Sequence, residues 1–294
     1  MGTVYIIGAG FSKTCGIATD LEMLDTLNPL LKREPQKGGG TPRTTIEHLR
    51  HQNFRGQTEV SFELFMSTLS ALKFLPDALG PRGKNVFRSG EREVRRVLTD
   101  YLTCCVSKVD WNGNGKTILD FVRTVDWQHD HILTFNYDLL LEAAVKRVGN
   151  GIEGRIIHLH GAIGEKQLAW PNYTKFAYRT TKTPLAPRWK GAFEILRDQI
   201  QLDQMIFIGY SMPPSDFEAK GLFNYVDWYN SLPDIPFVHG KLVPVEKRYT
   251  YPIVVVNPSP TVKRNYAFFR RTPQFIPLTL EGWLRNERAW GTDH

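Results

Sequence analysis

The chain has 294 residues, 41% hydrophobic, 12% aromatic and 23% charged, an ordinary globular composition that excludes a disordered chain, a collagen-like repeat and a coiled coil. Basic residues number 37 against 30 acidic ones, a formal charge of +7. That balance permits an anionic ligand or nucleic acid and singles out neither, because most such charges solvate the surface. Three cysteines, Cys15, Cys104 and Cys105, are too few for a disulfide framework or a four-cysteine zinc site, so the expectation is a reduced, cytoplasmic protein.

The start, Met1-Gly2-Thr3-Val4-Tyr5-Ile6, carries no basic residue before Lys13 and so lacks the charged opening of a signal peptide. Its apolar stretch is broken by glycines, far short of the roughly 18 residues of a spanning helix. Gly2 is not followed by the Ser or Thr at position 6 that myristoylation prefers. No membrane segment is expected.

In chain order, residues 3–7 form a β-branched and aromatic run closed by Gly8-Ala9-Gly10. A run apolar on both faces that ends in glycines predicts a buried parallel strand feeding a helix. The next such run is 131–135, too distant for a simple crossover, so about 30–125 is expected to be a helical insertion. Within it, 34–45 holds Gly38-Gly39-Gly40 between two prolines and predicts a loop. Apolar spacing predicts helices over 62–79, 92–106 and 117–125. Beyond 131–135 the expectation is a helix over 137–148, strands over 155–159, 204–208 and 253–256, and an aromatic, basic, proline-containing loop over 170–188. The tail after Asn257 is left unassigned. The fold class is therefore α/β: a Rossmann-like parallel sheet with helices on both faces, one domain over 1–294, and no zinc module. In such open sheets ligands collect beyond the carboxyl ends of the strands.

Gly8-Ala9-Gly10 after a strand opens a nucleotide-binding turn, though a lone strand–Gly-x-Gly serves equally often as a tight turn. Lys13 replaces the third glycine of the dehydrogenase fingerprint, and no acidic residue ends a second strand where that fingerprint needs one. A hydride-transferring enzyme is disfavoured. Thr134-Phe135-Asn136-Tyr137-Asp138 comes directly after the second strand. Asn136 can orient a ribose hydroxyl or a water, having both donor and acceptor; capping of the next helix by Asn136 or Asp138 is the more ordinary role. In His158-Leu159-His160-Gly161 the two histidines share a strand face. Without a third ligand nearby, a general base is a better assignment than a metal site, while His158 also fits a buried structural histidine. His129-Asp130-His131 is expected to be solvated. Ile208-Gly209-Tyr210-Ser211 with Asp216, and Val256-Asn257-Pro258, supply loop chemistry that carries meaning only in combination.

In combination they do. Gly8-Ala9-Gly10-Phe11-Ser12 with Gly16-Ile17, Phe135-Asn136-Tyr137-Asp138, His158-Leu159-His160-Gly161, Gly209-Tyr210-Ser211 and Asn257, in this order, resemble the sirtuin superfamily. More narrowly, they are similar to bacterial sirtuin-like NAD hydrolases of antiviral defence. The resemblance spans residues 4 to about 258. It implies NAD as substrate in the crevice, with Asn136 and His160 as the catalytic pair. Gly8, Ala9, Gly10, Ser12, Gly209, Ser211 and Asn257 would surround the dinucleotide, with Thr134, Asp138 and Tyr210 on the same strand ends. Phe11, Thr19 and Asp20 would shape its nicotinamide end.

Two departures narrow the chemistry. The paired Cys-x-x-Cys zinc module of the protein deacylases has no counterpart here. Ala18-Thr19-Asp20-Leu21 stands where those enzymes carry Pro-Asp-Phe-Arg. The expected activity is therefore NAD glycohydrolysis, releasing nicotinamide and ADP-ribose. A deacylase, an ADP-ribosyltransferase and a non-catalytic sensor of NAD or ADP-ribose remain as alternatives. Expected partners are further copies of the chain in a homo-oligomer and an activator such as a HerA-type ATPase or a short prokaryotic Argonaute. Nucleic acid would be met only indirectly, the cluster Arg92-Glu93-Val94-Arg95-Arg96 reading as a solvated helix face.

Overall fold

The computed structural model describes residues 2–31, 61–72, 76–149, 154–165, 186–197, 202–213, 216–231 and 251–290. The segments 34–45 and 170–185 lie outside the described residues. The strands are β1 (Gly2–Ile7), β2 (His131–Thr134), β3 (Ile156–His158), β4 (Leu202–Ile208), β5 (Ile253–Val256) and β6 (Gln274–Ile276). They form one six-stranded sheet in the order β3-β2-β1-β4-β5-β6, every pair parallel. This is the Rossmann-like arrangement expected from the apolar runs. The chain builds outward from β1 in one direction, then returns to β4 and builds in the other. The reversal lies between β1 and β4, the position at which such sheets open a crevice.

The helices are α1 (Ala9–Ser12), α2 (Asp20–Leu31), α3 (Phe62–Leu72), α4 (Pro76–Ser107), α5 (Lys116–Thr124), α6 (Leu140–Val148), α7 (Ala186–Arg197), α8 (Phe217–Ser231) and α9 (Leu280–Trp290). Strand alternation divides the apolar side chains between two layers. Tyr5, Ile7, Ile132, Ile206, Ile208, Val254 and Val256 pack against α2 to α6 and α9. Val4, Ile6, Leu133, Met205, Phe207, Ile253 and Val255 pack against α7, α8 and a 3₁₀ turn over Pro260–Tyr266. Helix α5 shows how the first layer forms: Ile118, Phe121 and Val122 recur at helical spacing and are its buried residues. The Phe121 ring meets Tyr5 and Phe11 edge-on at 5.2 Å each.

Several boundaries differ from the sequence expectation for local reasons. Helix α4 begins at Pro76, upstream of the expected 92, in a position where proline's missing N–H costs nothing. Helix α6 begins at Leu140 rather than 137, because the Asp138 carboxylate accepts the Leu140 N–H at 3.1 Å and turns the chain first. Residues 186–188, expected in a loop, open α7. The unassigned tail supplies the 3₁₀ turn, β6 and α9. The His129-Asp130-His131 cluster is not simply solvated: Asp130 is buried and accepts the Thr3 and Asp126 N–H groups at 2.7 and 2.9 Å, tying the base of β1 to the approach to β2.

At the reversal the backbones of the β1 and β4 turns touch. The Gly8 N–H donates to the Ile208 carbonyl at 3.1 Å and the Gly10 N–H to the Gly209 carbonyl at 2.9 Å. A Cβ on Gly8 would lie 2.5 Å from the Tyr210 Cα, and one on Gly209, whose φ is +61°, 2.4 Å from the Phe11 nitrogen. These glycines permit two turns to pass without side chains between them. Gly209→Ala is expected to lower the unfolding free energy by about 3 kcal/mol in urea titration. Gly191→Ala, in α7 with open space around the new methyl group, serves as the control and should change it by no more than about 1 kcal/mol, towards greater stability.

Candidate functional site

The carboxyl ends of β1, β2, β3 and β4 deliver Ser12, Asn136, His160 and Tyr210 to one buried cluster, while α2, α3 and α8 bring Asp20, Glu63 and Asp216 to it. Asn136 is fixed on three sides. Its N–H donates to the Thr134 hydroxyl at 3.1 Å, its carbonyl accepts from His158 Nδ1 at 2.9 Å, and its Nδ2 donates to Ser12 Oγ at 2.9 Å. Ser12 in turn bonds the Asp138 carboxylate, whose proton affinity burial pushes up and whose bonds from Leu140 and Ser12 pull back down. Thr134, Asn136 and Asp138 are thus parts of one hydrogen-bonded frame.

The two histidines have separate surroundings. His158 Nε2 meets Glu142 Oε1 at 2.6 Å, so both of its nitrogens face acceptors and both must carry hydrogen. Burial works against the charged ring, yet Glu142 and the Asn136 carbonyl raise its pKa above the ordinary histidine value. His158 is a buried structural histidine holding Asn136, one of the two roles its sequence position allowed. His160 is 1% exposed. Its Nε2 lies 3.4 Å from Asp216 Oδ2 and its Nδ1 3.7 Å from Glu63 Oε1. Among the described residues neither nitrogen has a hydrogen-bond partner. Burial disfavours the charged ring, but the two carboxylates overcome it and hold the pKa at about 9. At neutral pH the ring is therefore protonated, and to act as a general base it must first give up that proton.

Aromatic rings enclose the imidazole. Phe135 meets it edge-on at 5.0 Å, Tyr137 stacks at 6.0 Å, and Trp189 of α7 lies at 6.3 Å. Tyr210 stacks on Phe135 at 4.3 Å and donates its hydroxyl to Asp216 Oδ2 at 2.6 Å. Asp216 is itself 1% exposed, and its other oxygen accepts the Ala219 N–H at 3.1 Å, capping α8.

Other residues singled out in the sequence have local duties. Phe11 is buried in the first apolar layer. Thr19 gives its N–H and hydroxyl to Glu22 at the start of α2. Asn257 accepts the Ser259 N–H at 3.0 Å in a turn after β5, and Ser211 is exposed with its carbonyl accepting from Asn265. Ala9 is partly exposed. The N–H groups of Gly8, Gly10 and Phe11 are bonded to backbone carbonyls. Asp20 accepts the Glu63 N–H at 2.8 Å, and burial together with the Glu63 charge pushes its carboxyl up to about 7. Glu63, Glu142 and Trp189 were not expected in the site, and Asp216 was grouped with the Gly209-Tyr210-Ser211 turn without a role of its own. Asp216 had a signal, standing between a strand end and a helix start; Glu63 and Trp189, remote in sequence, had none. The Arg92–Arg96 face carries ion pairs, Arg95 with Glu91 and Arg96 with Glu93 and Asp100. Among the described residues no group of His, Cys, Asp and Glu could hold a metal ion, and no helix is long and apolar enough to cross a membrane.

No family model and no curated protein sequence matches the chain. Solved structures of Sir2 homologues align over almost its whole length. One is a single-substitution variant in complex with ADP-ribose, at 13% identity and a TM-score of 0.43, covering 99% of this chain and 94% of that one. Another is a triple variant in complex with 2′-O-acetyl ADP-ribose, at 15% identity and a TM-score of 0.48, covering 98% and 92%.

The raised Asp20 carboxyl has a measurable consequence. A group whose folded pKa exceeds its unfolded value binds its proton more tightly when folded, so stability falls as pH rises between the two values. For Asp20 that window runs from the ordinary 3.8 to about 7. Asp20→Asn keeps an acceptor for the Glu63 N–H and removes the charge. Urea unfolding midpoints recorded from pH 4 to 7 should decline with rising pH less steeply in Asp20→Asn than in the natural chain.

Proposed function

We propose that this crevice binds NAD and cleaves its nicotinamide–ribose bond with water, giving nicotinamide and ADP-ribose. The observation that carries the proposal is the fully buried His160 ring, whose nitrogens face Asp216 and Glu63 at ion-pair distance but complete no hydrogen bond among the described residues, beside a rigidly framed Asn136 at the reversal of the sheet. Buried polar atoms without partners are uncommon and mark a place where a ligand completes the bonding. Ribose hydroxyls, which donate and accept, suit both the imidazole and the Asn136 amide. The order of strand-end motifs, from Gly8-Ala9-Gly10 through Asn136 and His160 to Gly209-Tyr210-Ser211 and Asn257, supports a dinucleotide in particular.

The chemistry asks little covalent work of the protein. Nicotinamide leaves NAD as a neutral molecule, taking the bonding electrons, and the sugar gains oxocarbenium character as in other glycoside cleavages. The site must orient the ribose, shelter the sugar cation and admit one water. Asn136 holds the ribose hydroxyls or the water, His160 hydrogen-bonds the same groups, and the aromatic rings of Phe135, Tyr137 and Trp189 keep the surroundings dry. Carboxylates at Asp216 and Glu63 place negative charge where positive charge develops. Gly8, Gly10 and Gly209 form the floor, with Ser12, Tyr210, Ser211 and Asn257 along its edges.

An enzyme that destroys NAD without restraint would starve its own cell. We propose that this chain is an effector of bacterial anti-phage defence, silent until homo-oligomerisation or a partner such as a HerA-type ATPase or a short prokaryotic Argonaute switches it on. NAD consumption by the purified chain, alone and with the product of its neighbouring gene, tests the proposal when the products are separated by mass. Nicotinamide and ADP-ribose should appear in equal amounts, and Asn136→Ala or His160→Ala should slow their release at least about 100-fold while leaving the fold intact. NAD bound but never cleaved in any assembly would make the chain a sensor instead.

A further inference from the structure

Within the NAD-cleaving function proposed above, on which this rests, we infer that Glu63 takes the proton of the attacking water and that Asp216 holds His160 as a charged hydrogen-bond donor. The geometry assigns these roles. His160 lies between two carboxylates, one at each ring nitrogen. Asp216 is immobile: one oxygen caps α8, the other receives the Tyr210 hydroxyl, and the Tyr210 ring is stacked on Phe135. A carboxylate that is 1% exposed and so tightly held keeps its charge only with a cation beside it, and His160 is that cation. The other ionisable groups reinforce this. Asp20 contributes a further carboxyl from α2. The phenols of Tyr137 and Tyr210 are pushed well above 10 and stay neutral. Arg95 on α4, whose charge reaches Tyr137, is paired with Glu91.

Glu63 differs from Asp216 in a respect that a proton acceptor requires. Its side chain retains 13% exposure against 1%, so the proton can leave to solvent. It lies in the first turn of α3. Its Oε1 is within 3.7 Å of His160 and 3.5 Å of the Tyr137 hydroxyl, so it belongs to the reacting cluster. The step balances as NAD⁺ plus water giving nicotinamide, ADP-ribose and a proton. The C1′–N bond breaks with its electrons going to nicotinamide, the water oxygen bonds C1′, and the water proton passes to Glu63 and then to solvent. Water adding to an oxocarbenium-like carbon becomes strongly acidic, so a carboxylate is base enough.

The pH profile of kcat for NAD cleavage in the active assembly separates the roles. With His160 as donor, kcat is level through neutrality and falls above about 9, the value at which the ring loses its charge. With His160 as base, it would climb about tenfold per pH unit up to that value. Asp216→Asn retains the α8 cap and an acceptor for Tyr210. It should move the alkaline fall towards the ordinary histidine range, losing at least about tenfold at pH 8 and regaining it near pH 6, which a structural defect would not do. Glu63→Gln should cut kcat about 100-fold or more with KM within about threefold, and Glu63→Asp should recover part of the loss. A rate that climbs between pH 7 and 9, or a folded Glu63→Gln with near-normal kcat, overturns the inference and leaves the hydrolase proposal standing. A natural chain that never cleaves NAD overturns the hydrolase proposal and, with it, the role of Glu63. The charge on His160 is then read from its imidazole NMR signals: titration near 9 sustains the Asp216 contact, and titration near 6.5 overturns it.

Discussion

The contact on which the rest of the structure depends is the backbone-to-backbone approach of the β1 and β4 turns. Gly8 and Gly10 lie against Gly209 and Tyr210 with no room for a Cβ between them, and two hydrogen bonds close the gap. Because the sheet reverses at this pair of strands, the contact sets the backbone floor beneath the strand-end cluster. It also directs the chain beyond β4. Held at Gly209, the backbone presents the Tyr210 ring to Phe135 and its hydroxyl to Asp216, and Asp216 starts α8 and faces His160. A larger residue at Gly209 would therefore act on the site through Tyr210 and Asp216 as well as on the fold.

Around that floor the molecule buries charge, and it does so in compensated groups. Isolated, each charge would cost several kcal/mol to bury. His158 is matched by Glu142 and a carbonyl, His160 by Asp216 and Glu63, and Asp130 at the opposite end of the sheet by two backbone N–H groups. The contacts that His158 and Asp130 make with these partners are all at hydrogen-bond distance. The His160 group is open, with ion-pair distances longer than hydrogen bonds. The same kind of interaction thus serves as a fastener in two places and as an unfinished site in the third.

The strands were readable because β-branched and aromatic runs such as 3–7, 204–208 and 253–256 have no polar face, a signature of a sheet covered on both sides. Asn136 and His160 were readable because each stands just past such a run. Boundaries slipped in two places: Asp138 delays α6 by accepting the Leu140 N–H, and α7 begins at Ala186, inside the 170–188 segment whose aromatics and prolines suggested a loop. Glu63 carried no sequence mark at all. It is an ordinary acidic residue in the first turn of a helix, and only packing of α3 under the β3 turn gives it a histidine.

By itself the sequence determined five of the six strands, that the sheet is parallel and covered on both faces, and which residues stand at those strand ends, because these arise from side-chain periodicity and turn chemistry over a few neighbouring residues; β6, only three residues long, carried no such pattern. Only the tertiary structure decided the protonation of those residues and the work of the glycines. Asp216, Glu63 and His160 come from three separate elements, and the charge on a buried imidazole is set by what lies within a few ångströms in space, whatever its distance along the chain.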